Sequence, residues 1–208
     1  MAIKAILFNA EMVRAILEGR KSCTRKIVKP QQLIGMLPDK CKNGAPEKFL
    51  KEKKLMFKPY CDMTDIELIN TAYKAPYQPG DILYVRETWK KALNGYYYYE
   101  DWQRNDIADV TKWKPSTRMP KEAARIWLKV TDVRVERLQE VSAESALAEG
   151  ANKYIHTNGG LDENMTITSF IGIWNSTIKK SDIDRYGWDA NPYVWIIEFE
   201  RCEKPEGV

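Results

Sequence analysis

Apolar residues along the first half of the chain recur in patterns that predict a strand, a helix and a second strand. The runs AIKAILF and ILYV are strand-length and carry few charges. Between them, AEMVRAILEG has its apolar residues on one helical face, with Asn9 in position to cap the helix and Gly19 to end it. The chain therefore begins with a strand followed by a short amphipathic helix.

The pattern of the second half of the chain predicts strands and helices in succession. The segment from Tyr96 to Trp102 predicts a strand, and the alternation in RIWLKVTDVRVERL predicts one long or bent strand, or two in succession. A short helix follows from Ser142, which caps it, to Gly150. Residues 167–178 form a further helix, and the run YVWIIEFERC predicts a last strand buried on both faces.

Two segments interrupt this order. Residues 31–75 contain repeated prolines and a charged run without clear period, which predicts an irregular insertion, and residues 151–166 predict a loop insertion. The remaining elements predict one α+β domain over residues 1–208, with a curved or barrel-like mixed sheet. Neither a glycine-rich βαβ unit nor a repeat is present, which argues against Rossmann and P-loop nucleotide-binding folds.

Composition narrows the class of protein. The 208 residues are 44% hydrophobic and 30% charged, which is enough apolar surface for one folded core. No run approaches the ~20 apolar residues of a spanning helix, and the N-terminus lacks the pattern of a secretory signal, so we expect a cytoplasmic protein without membrane contact. The four cysteines are scattered and His156 is the single histidine, so we expect neither a metal site nor a cofactor.

The densest group of polar residues lies between Gly19 and Arg25. This segment places three cations and three small side chains, Ser22, Cys23 and Thr24, just after a helix end. Such a loop can bind a phosphate or a carbonyl oxygen by charge-assisted hydrogen bonds. In the alternative interpretation, the cations cap the helix and the hydroxyls satisfy the backbone of a turn. The net charge of +4 does not by itself decide between the two.

The segment ILEGRKSCTRK resembles the signature of the ASCH family, in which a Gly and a Lys precede an Arg or another polar residue. The resemblance extends to PYQPGDILYVRETW, to WKPSTRMPKEAARIWLKVTDVRVERLQEVSAESALAEG and to WDANPYVWIIEFE, in the order found in larger, phage-type members. It implies a PUA-like mixed β-barrel, the ASCH fold, with flanking helices and a cleft that binds RNA or a nucleobase.

Some small members of this family are amidohydrolases of cytidine acylated at its exocyclic amine, with a Lys, a Thr and a Glu as catalytic residues. The resemblance places these on Lys21, Thr24 and Glu149. The residue types suit the reaction, because a lysine kept neutral by burial can take the proton of the threonine hydroxyl that attacks the amide. The carboxylate would orient the lysine or protonate the leaving amine.

Further residues are candidates for binding RNA or substrate. Arg86, Glu87 and Trp89 stand at a strand end, where Trp89 would stack on a base, or else they form an ion pair beside a core tryptophan. Arg118 lies in the proline-fixed loop WKPSTRMP with Lys114 and Ser116, where it would contact a phosphate or a base edge or, alternatively, belong to a surface turn. The full set of binding candidates is Arg20, Arg25, Arg86, Glu87, Trp89, Lys114, Ser116 and Arg118.

These observations predict an RNA- or nucleobase-recognising ASCH protein that hydrolyses an acylated cytidine amide through a Lys/Thr/Glu centre, with RNA or a modified nucleoside as partner. Two alternatives stay open, namely a non-catalytic RNA-binding module and a metal-independent ribonuclease acting on single-stranded RNA. The amidohydrolase hypothesis requires Glu149 to lie beside Lys21 and Thr24. The binding hypothesis does not.

Overall fold

The computed structural model of the chain describes residues 1–29, 64–102 and 112–207. The described strands are β1 (Ile3–Leu7), β2 (Cys23–Ile27), β3 (Ile82–Arg86), β4 (Trp89–Ala92), β5 (Gly95–Tyr98), β6 (Trp127–Arg137) and β7 (Tyr193–Cys202). Five of them form one sheet in the order β1-β3-β6-β7-β2, and β4 and β5 form a separate hairpin.

Helices flank the sheet. Those in the described residues are α1 (Ala10–Leu17), α2 (Asp65–Ala72), α3 (Tyr99–Trp102), α4 (Ala143–Ala148), α5 (Glu163–Thr177) and α6 (Ile183–Tyr186). Short 3₁₀ turns occur at Ser116–Arg118, Lys121–Ala123, Leu138–Glu140 and Lys180–Asp182. Within the described part of the chain, every helix is too short or too polar to cross a membrane.

The sheet is mixed, as the sequence predicts. Strand β1 runs parallel to β3, and the other pairs are antiparallel. The pairing of β6 with β7 contains a bulge between Val130 and Asp132, and such bulges increase the local twist of a strand. Among the described strands no backbone pairing joins β1 to β2, so the mixed sheet is observed and its closure into a barrel is not.

Strand β7 separates two apolar clusters. Trp195, Ile197 and Phe199 pack into the cluster under α1, whereas Val194 and Ile196 pack with the residues of α5. Because successive side chains of a strand point to opposite faces, an uninterrupted apolar run serves both clusters. This confirms the prediction that the last strand is buried on both sides.

Several elements lie where the sequence predicts them. Asn9 caps α1 by accepting a hydrogen bond from the backbone N–H of Met12 at 2.8 Å, and Gly19 follows the helix with φ of +73°. Ser142 caps α4 in the same way, accepting from the N–H of Ser145 at 3.2 Å. The alternating segment from Trp127 is a single bulged strand, which decides between the two predicted possibilities.

Other elements differ from the prediction. The polar segment after α1 is not a loop throughout, because β2 starts at Cys23 and pairs with β7. The predicted strand over Tyr96–Trp102 is wrong in its second half, which is the helical turn α3. There the N–H of Tyr99 bonds to the carbonyl of Thr88 at 2.9 Å, which turns the chain out of the hairpin.

The two predicted insertions are described in part. Within 31–75, residues 64–75 are described, and they contain α2 with a capping box at Thr64 and Glu67. Residues 30–63 lie outside the described residues. Within 151–166, the loop ends at Asp162, whose carboxylate caps α5 by accepting from Met165 N at 2.9 Å.

Candidate functional site

The structure brings Lys21 and Glu149 together at the start of β2. The ammonium nitrogen of Lys21 donates to the backbone carbonyls of Cys23 at 2.8 Å and of Glu149 at 2.9 Å. It lies 3.9 Å from the carboxylate oxygen Oε2 of Glu149, and the lysine side chain is 0% exposed. The carboxylate that acid–base chemistry would need therefore lies beside the lysine.

Backbone contacts after α1 fix this arrangement. The N–H groups of Arg20 and Lys21 both bond to the carbonyl of Ala15, at 2.8 and 3.0 Å, which turns the chain back over the helix end. The N–H of Ser22 then donates to Ala148 O at 2.8 Å, and the carbonyl of Ser22 accepts from Phe199 N at 2.8 Å. Ser22 thus ties the end of α4 to β7 and sets β2 at the edge of the sheet.

Arg25 completes the buried group. Its Nη1 donates to Glu149 Oε1 at 2.6 Å, its Nη2 donates to the hydroxyl of Ser145 at 2.7 Å, and the guanidinium lies over the ring of Phe170. Its Nε is buried and has no hydrogen-bond partner among the described residues. The one carboxylate of Glu149 therefore lies beside two basic side chains, those of Lys21 and Arg25.

Burial sets the protonation of this group. Burial lowers the pKa of Lys21, the charge of Glu149 opposes that effect, and Arg25 adds to it. Burial also raises the pKa of the Cys23 thiol to about 12, and the nearby Glu149 contributes to the rise. Cys23 is thus a protonated thiol that donates weakly to Ser145 O, and it is no nucleophile at neutral pH.

Thr24 is buried beside the group without being bonded to it. It stands opposite Ile197 in β7, and strand alternation points its side chain to the face opposite that of Arg25. Within the described residues, the Thr24 hydroxyl forms no hydrogen bond to Lys21 or to Glu149. Lys21 and Glu149 are therefore in contact, whereas Thr24 follows Lys21 by three positions and its side chain lies on the other face of β2 from Arg25.

An open concavity of about 450 Å³ adjoins the buried group, and we call it the Arg20 concavity. Arg20, Ser22, Asn152 and Lys153 supply its polar lining, and the end of α4 supplies its apolar wall. Arg20 forms an exposed ion pair with Glu18 at 2.6 Å. The concavity thus carries two cations, Arg20 and Lys153, and the hydroxyl of Ser22, which follows Lys21 in the chain.

Glu87 and Trp89 are arranged as the alternative interpretation predicts, with an ion pair beside a core tryptophan. Both carboxylate oxygens of Glu87 accept from Arg125 at 2.9 Å, although burial raises the pKa of Glu87. Trp89 is 5% exposed, and its ring is covered by the Lys114 ammonium at 4.9 Å and by Tyr96. Trp89 therefore does not offer the open face on which a base could stack.

The remaining binding candidates lie apart from the buried group. Arg86 donates to Thr117 O at 3.3 Å and lies over the ring of Tyr84. Lys114 and Arg118 are exposed, and Ser116 begins the 3₁₀ turn that ends at Arg118, which matches the surface-turn interpretation. In the described ranges, no hydrogen bond or ion pair connects these four residues with Lys21, Arg25 or Glu149.

Sequence reasoning missed residues that complete the site. Ser145 of α4 precedes Glu149, the residue that caps the end of this helix, by four positions, and this spacing places both on one helix face, so a search around Glu149 would have found it. Lys153 gave no such signal, because it lies in a loop without a period. Over residues 1–29, 64–102 and 112–207, no group of three or more His, Cys, Asp or Glu side chains is placed to hold a metal ion.

Comparison with known proteins gives one structural similarity. No family model and no curated protein matches the chain. Among solved structures, the chain is similar to an ASCH domain from Lactobacillus crispatus JV V101, with a TM-score of 0.42 and 11% sequence identity over 96% of this chain and 79% of that chain. A similarity of this size does not establish a shared fold.

Proposed function

We propose that this protein is an ASCH-type protein that recognises RNA or a nucleobase in the Arg20 concavity. The observation that supports the proposal is the contact of Lys21, Arg25 and Glu149 directly behind a concavity that carries Arg20 and Lys153. The four sequence blocks that resemble the ASCH family agree with it. In this proposal the buried group shapes the site, and the exposed cations contact the ligand.

Arg20 is suited to phosphate binding because its present partner holds it weakly. Arg20 and Glu18 are 47% and 43% exposed, and ion pairs with such exposure contribute about 0–1 kcal/mol. Exchanging Glu18 for a phosphate would therefore cost little, and the guanidinium can bind two phosphate oxygens at once. Lys21, by contrast, is fully buried and does not reach a phosphate in the concavity.

Equilibrium binding of single-stranded RNA across a salt series tests this proposal. We expect an Arg20→Ala/Lys153→Ala double variant to bind more weakly than the wild type. Its slope of log affinity against log salt should be smaller by about 0.7 for each phosphate that the variant no longer binds. A Lys91→Ala/Lys129→Ala variant removes the same charge from exposed positions on β4 and β6 and serves as the control. Equal affinities and slopes for the double variant and the wild type would refute the proposal.

A second candidate function is hydrolysis of an acylated cytidine amide, which the proximity of Lys21 to Glu149 favours. Because burial lowers the pKa of Lys21, its amine is more readily neutral and able to act as a general base. In this mechanism, the Thr24 oxygen attacks the amide carbonyl while its proton passes to Lys21. The C–N bond then breaks as the departing amine takes a proton, and water hydrolyses the resulting threonine ester to a carboxylate.

Incubation with acylated cytidine separates the two functions. If the amidohydrolase candidate is correct, the wild type releases cytidine, and Lys21→Met, Glu149→Gln and Thr24→Val each reduce turnover by about 10² or more. Thr24→Val keeps the side-chain volume and should leave RNA binding unchanged. A wild type that releases no cytidine excludes the hydrolase and leaves RNA recognition standing. Shortening of the RNA during the binding assay would instead identify a ribonuclease.

A further inference from the structure

A second concavity, of about 400 Å³, lies at the other end of β2, and we call it the lysine cleft. Three lysines line it, Lys26 from β2, Lys29 just beyond β2 and Lys74 just beyond α2. Tyr73 and Trp195 supply its aromatic walls. No sequence prediction singled out these lysines.

The lysine cleft is separate from the Arg20 concavity. Strand β2 begins two residues after Lys21 and ends one residue after Lys26, so about 15 Å of extended chain lies between these two lysines. The two concavities have no lining residue in common. A ligand in one of them leaves the other accessible.

Within residues 1–29, 64–102 and 112–207, the lysines of the cleft lack acidic partners. In the described part of the chain, no carboxylate lies within ion-pair distance of Lys26, Lys29 or Lys74. The nearby Asp81 is engaged by Lys4 at 2.6 Å. Lys26 donates instead to the hydroxyl of Tyr77 at 3.1 Å, which leaves two of its three ammonium hydrogens for a ligand.

Lys26 is the most informative of the three because it is half-buried. Burial lowers its pKa, and among the described residues no acidic group offsets the effect. A cation held partly out of water without a counter-ion is costly, and an anion that enters the cleft would reduce this cost. The tyrosine hydroxyl that accepts from Lys26 itself donates to Ala5 O at 3.0 Å, so the position of the ammonium is fixed from the core of the sheet.

We propose that the lysine cleft binds phosphate groups of single-stranded RNA and forms a second contact region in addition to the Arg20 concavity. This inference rests on the proposed function and extends it to a longer polymer. Lysine ammonium groups act as point charges that suit phosphate oxygens, and they lack the planar fork that reads base edges. The cleft therefore strengthens binding and is insensitive to base sequence.

The test measures RNA affinity across a salt series for two variants of the cleft. Lys29→Ala/Lys74→Ala removes exposed side chains and leaves the fold intact, and a triple variant adds Lys26→Met. We expect both to bind more weakly than the wild type. The slope of log affinity against log salt should fall by about 0.7 for each phosphate that is no longer bound, or by about 2 for the triple variant. The weakening should be equal for RNAs of different sequence.

The control for the triple variant has the same change in net charge and carries alanine at three exposed lysines outside the cleft, Lys91, Lys129 and Lys204, and Lys91→Ala/Lys129→Ala is the control for the double variant. If each cleft variant and its control bind RNA alike, the lysine cleft is not a phosphate site, while the proposed function stands. If the cleft variants lose affinity and Arg20→Ala/Lys153→Ala does not, the cleft stands and the Arg20 concavity does not. A wild type that binds no RNA overturns both.

Discussion

Lys21 shows how a single charge can be kept inside this protein. Burying an ammonium is costly, and its partner Glu149 is shared with Arg25. The cost is offset by hydrogen bonds to Cys23 O and Glu149 O. The second of these carbonyls lies at the C-terminal end of α4, where carbonyls lack partners within the helix and positive charge is favourable. Lys21 therefore caps the C-terminal end of α4 and also lies beside the carboxylate of Glu149.

The lowered pKa of Lys21 makes protein stability depend on pH. Between the folded-state pKa and the ordinary value of 10.5, the unfolded chain binds more protons than the folded chain at this residue. The free energy of unfolding should therefore rise with pH across that window, and Lys21→Met should remove this part of the rise. Chemical denaturation from neutral pH to about pH 10 measures it, and parallel profiles for wild type and variant would contradict it.

Ion pairs tie α3 to α1 and to the residue that follows β3. Arg125 binds both oxygens of buried Glu87 and both oxygens of Asp101 in α3. Arg14 of α1 binds Glu100 of α3 in turn. These contacts hold a four-residue helix that would be unstable alone. They also explain why the chain leaves the strand that the tyrosine-rich pattern predicts.

We expect Arg125→Met to lower the free energy of unfolding by about 2–4 kcal/mol, because it leaves Glu87 buried without a cation. Arg134 provides a matched control, since it also binds several carboxylates but is 39% exposed. Arg134→Met should therefore cost only about 1 kcal/mol or less. Urea denaturation of the two variants compares them, and equal losses would show that burial of Glu87 is not what matters.

Gly150, which follows α4, lies against Ala15 of α1. A Cβ atom there would lie 3.2 Å from the Cβ of Ala15, and the backbone already has φ of +94°. Gly19 has φ of +73° with no atom within 4 Å of such a Cβ. Gly150→Ala should therefore cost about 2–4 kcal/mol, from strain plus crowding, and Gly19→Ala about 1–2 kcal/mol, from strain alone. Thermal and urea unfolding of the two variants measures both losses of stability. Equal losses would contradict the prediction, because they would show that crowding at Gly150 costs no stability.

The sequence predicts elements whose apolar pattern is strong and misses those that polar contacts determine. Strands β3, β6 and β7 and the caps of α1 and α4 follow from local pattern. Strand β2 does not, because Cys23 and Arg25 face a buried ion group and Lys26 faces Tyr77, so the strand shows no apolar alternation. The contact of Lys21 with Glu149 spans 128 positions, and only the family resemblance pointed to it.

At the scale of the whole molecule, the positions of the basic residues matter more for the proposed RNA binding than the net charge does. A net charge of +4 on 208 residues is modest. Yet Arg20 and Lys153 lie at one concavity, and three lysines without acidic partners among the described residues lie at the other, at opposite ends of β2. Paired cations elsewhere, such as Arg125 and Arg134, are neutralised by carboxylates. Among the described residues, two concave surfaces thus each bring together cations from more than one segment of the chain.

The central claim, that RNA or a nucleobase binds in the Arg20 concavity, is tested most directly by hydrogen exchange of the full chain with and without single-stranded RNA. Bound RNA should slow backbone amide exchange in residues 19–22 and 147–153, which border this concavity. Slower exchange in residues 26–29 and 73–76 would add the lysine cleft. Unchanged exchange in residues 19–22 and 147–153 at saturating RNA would contradict the claim.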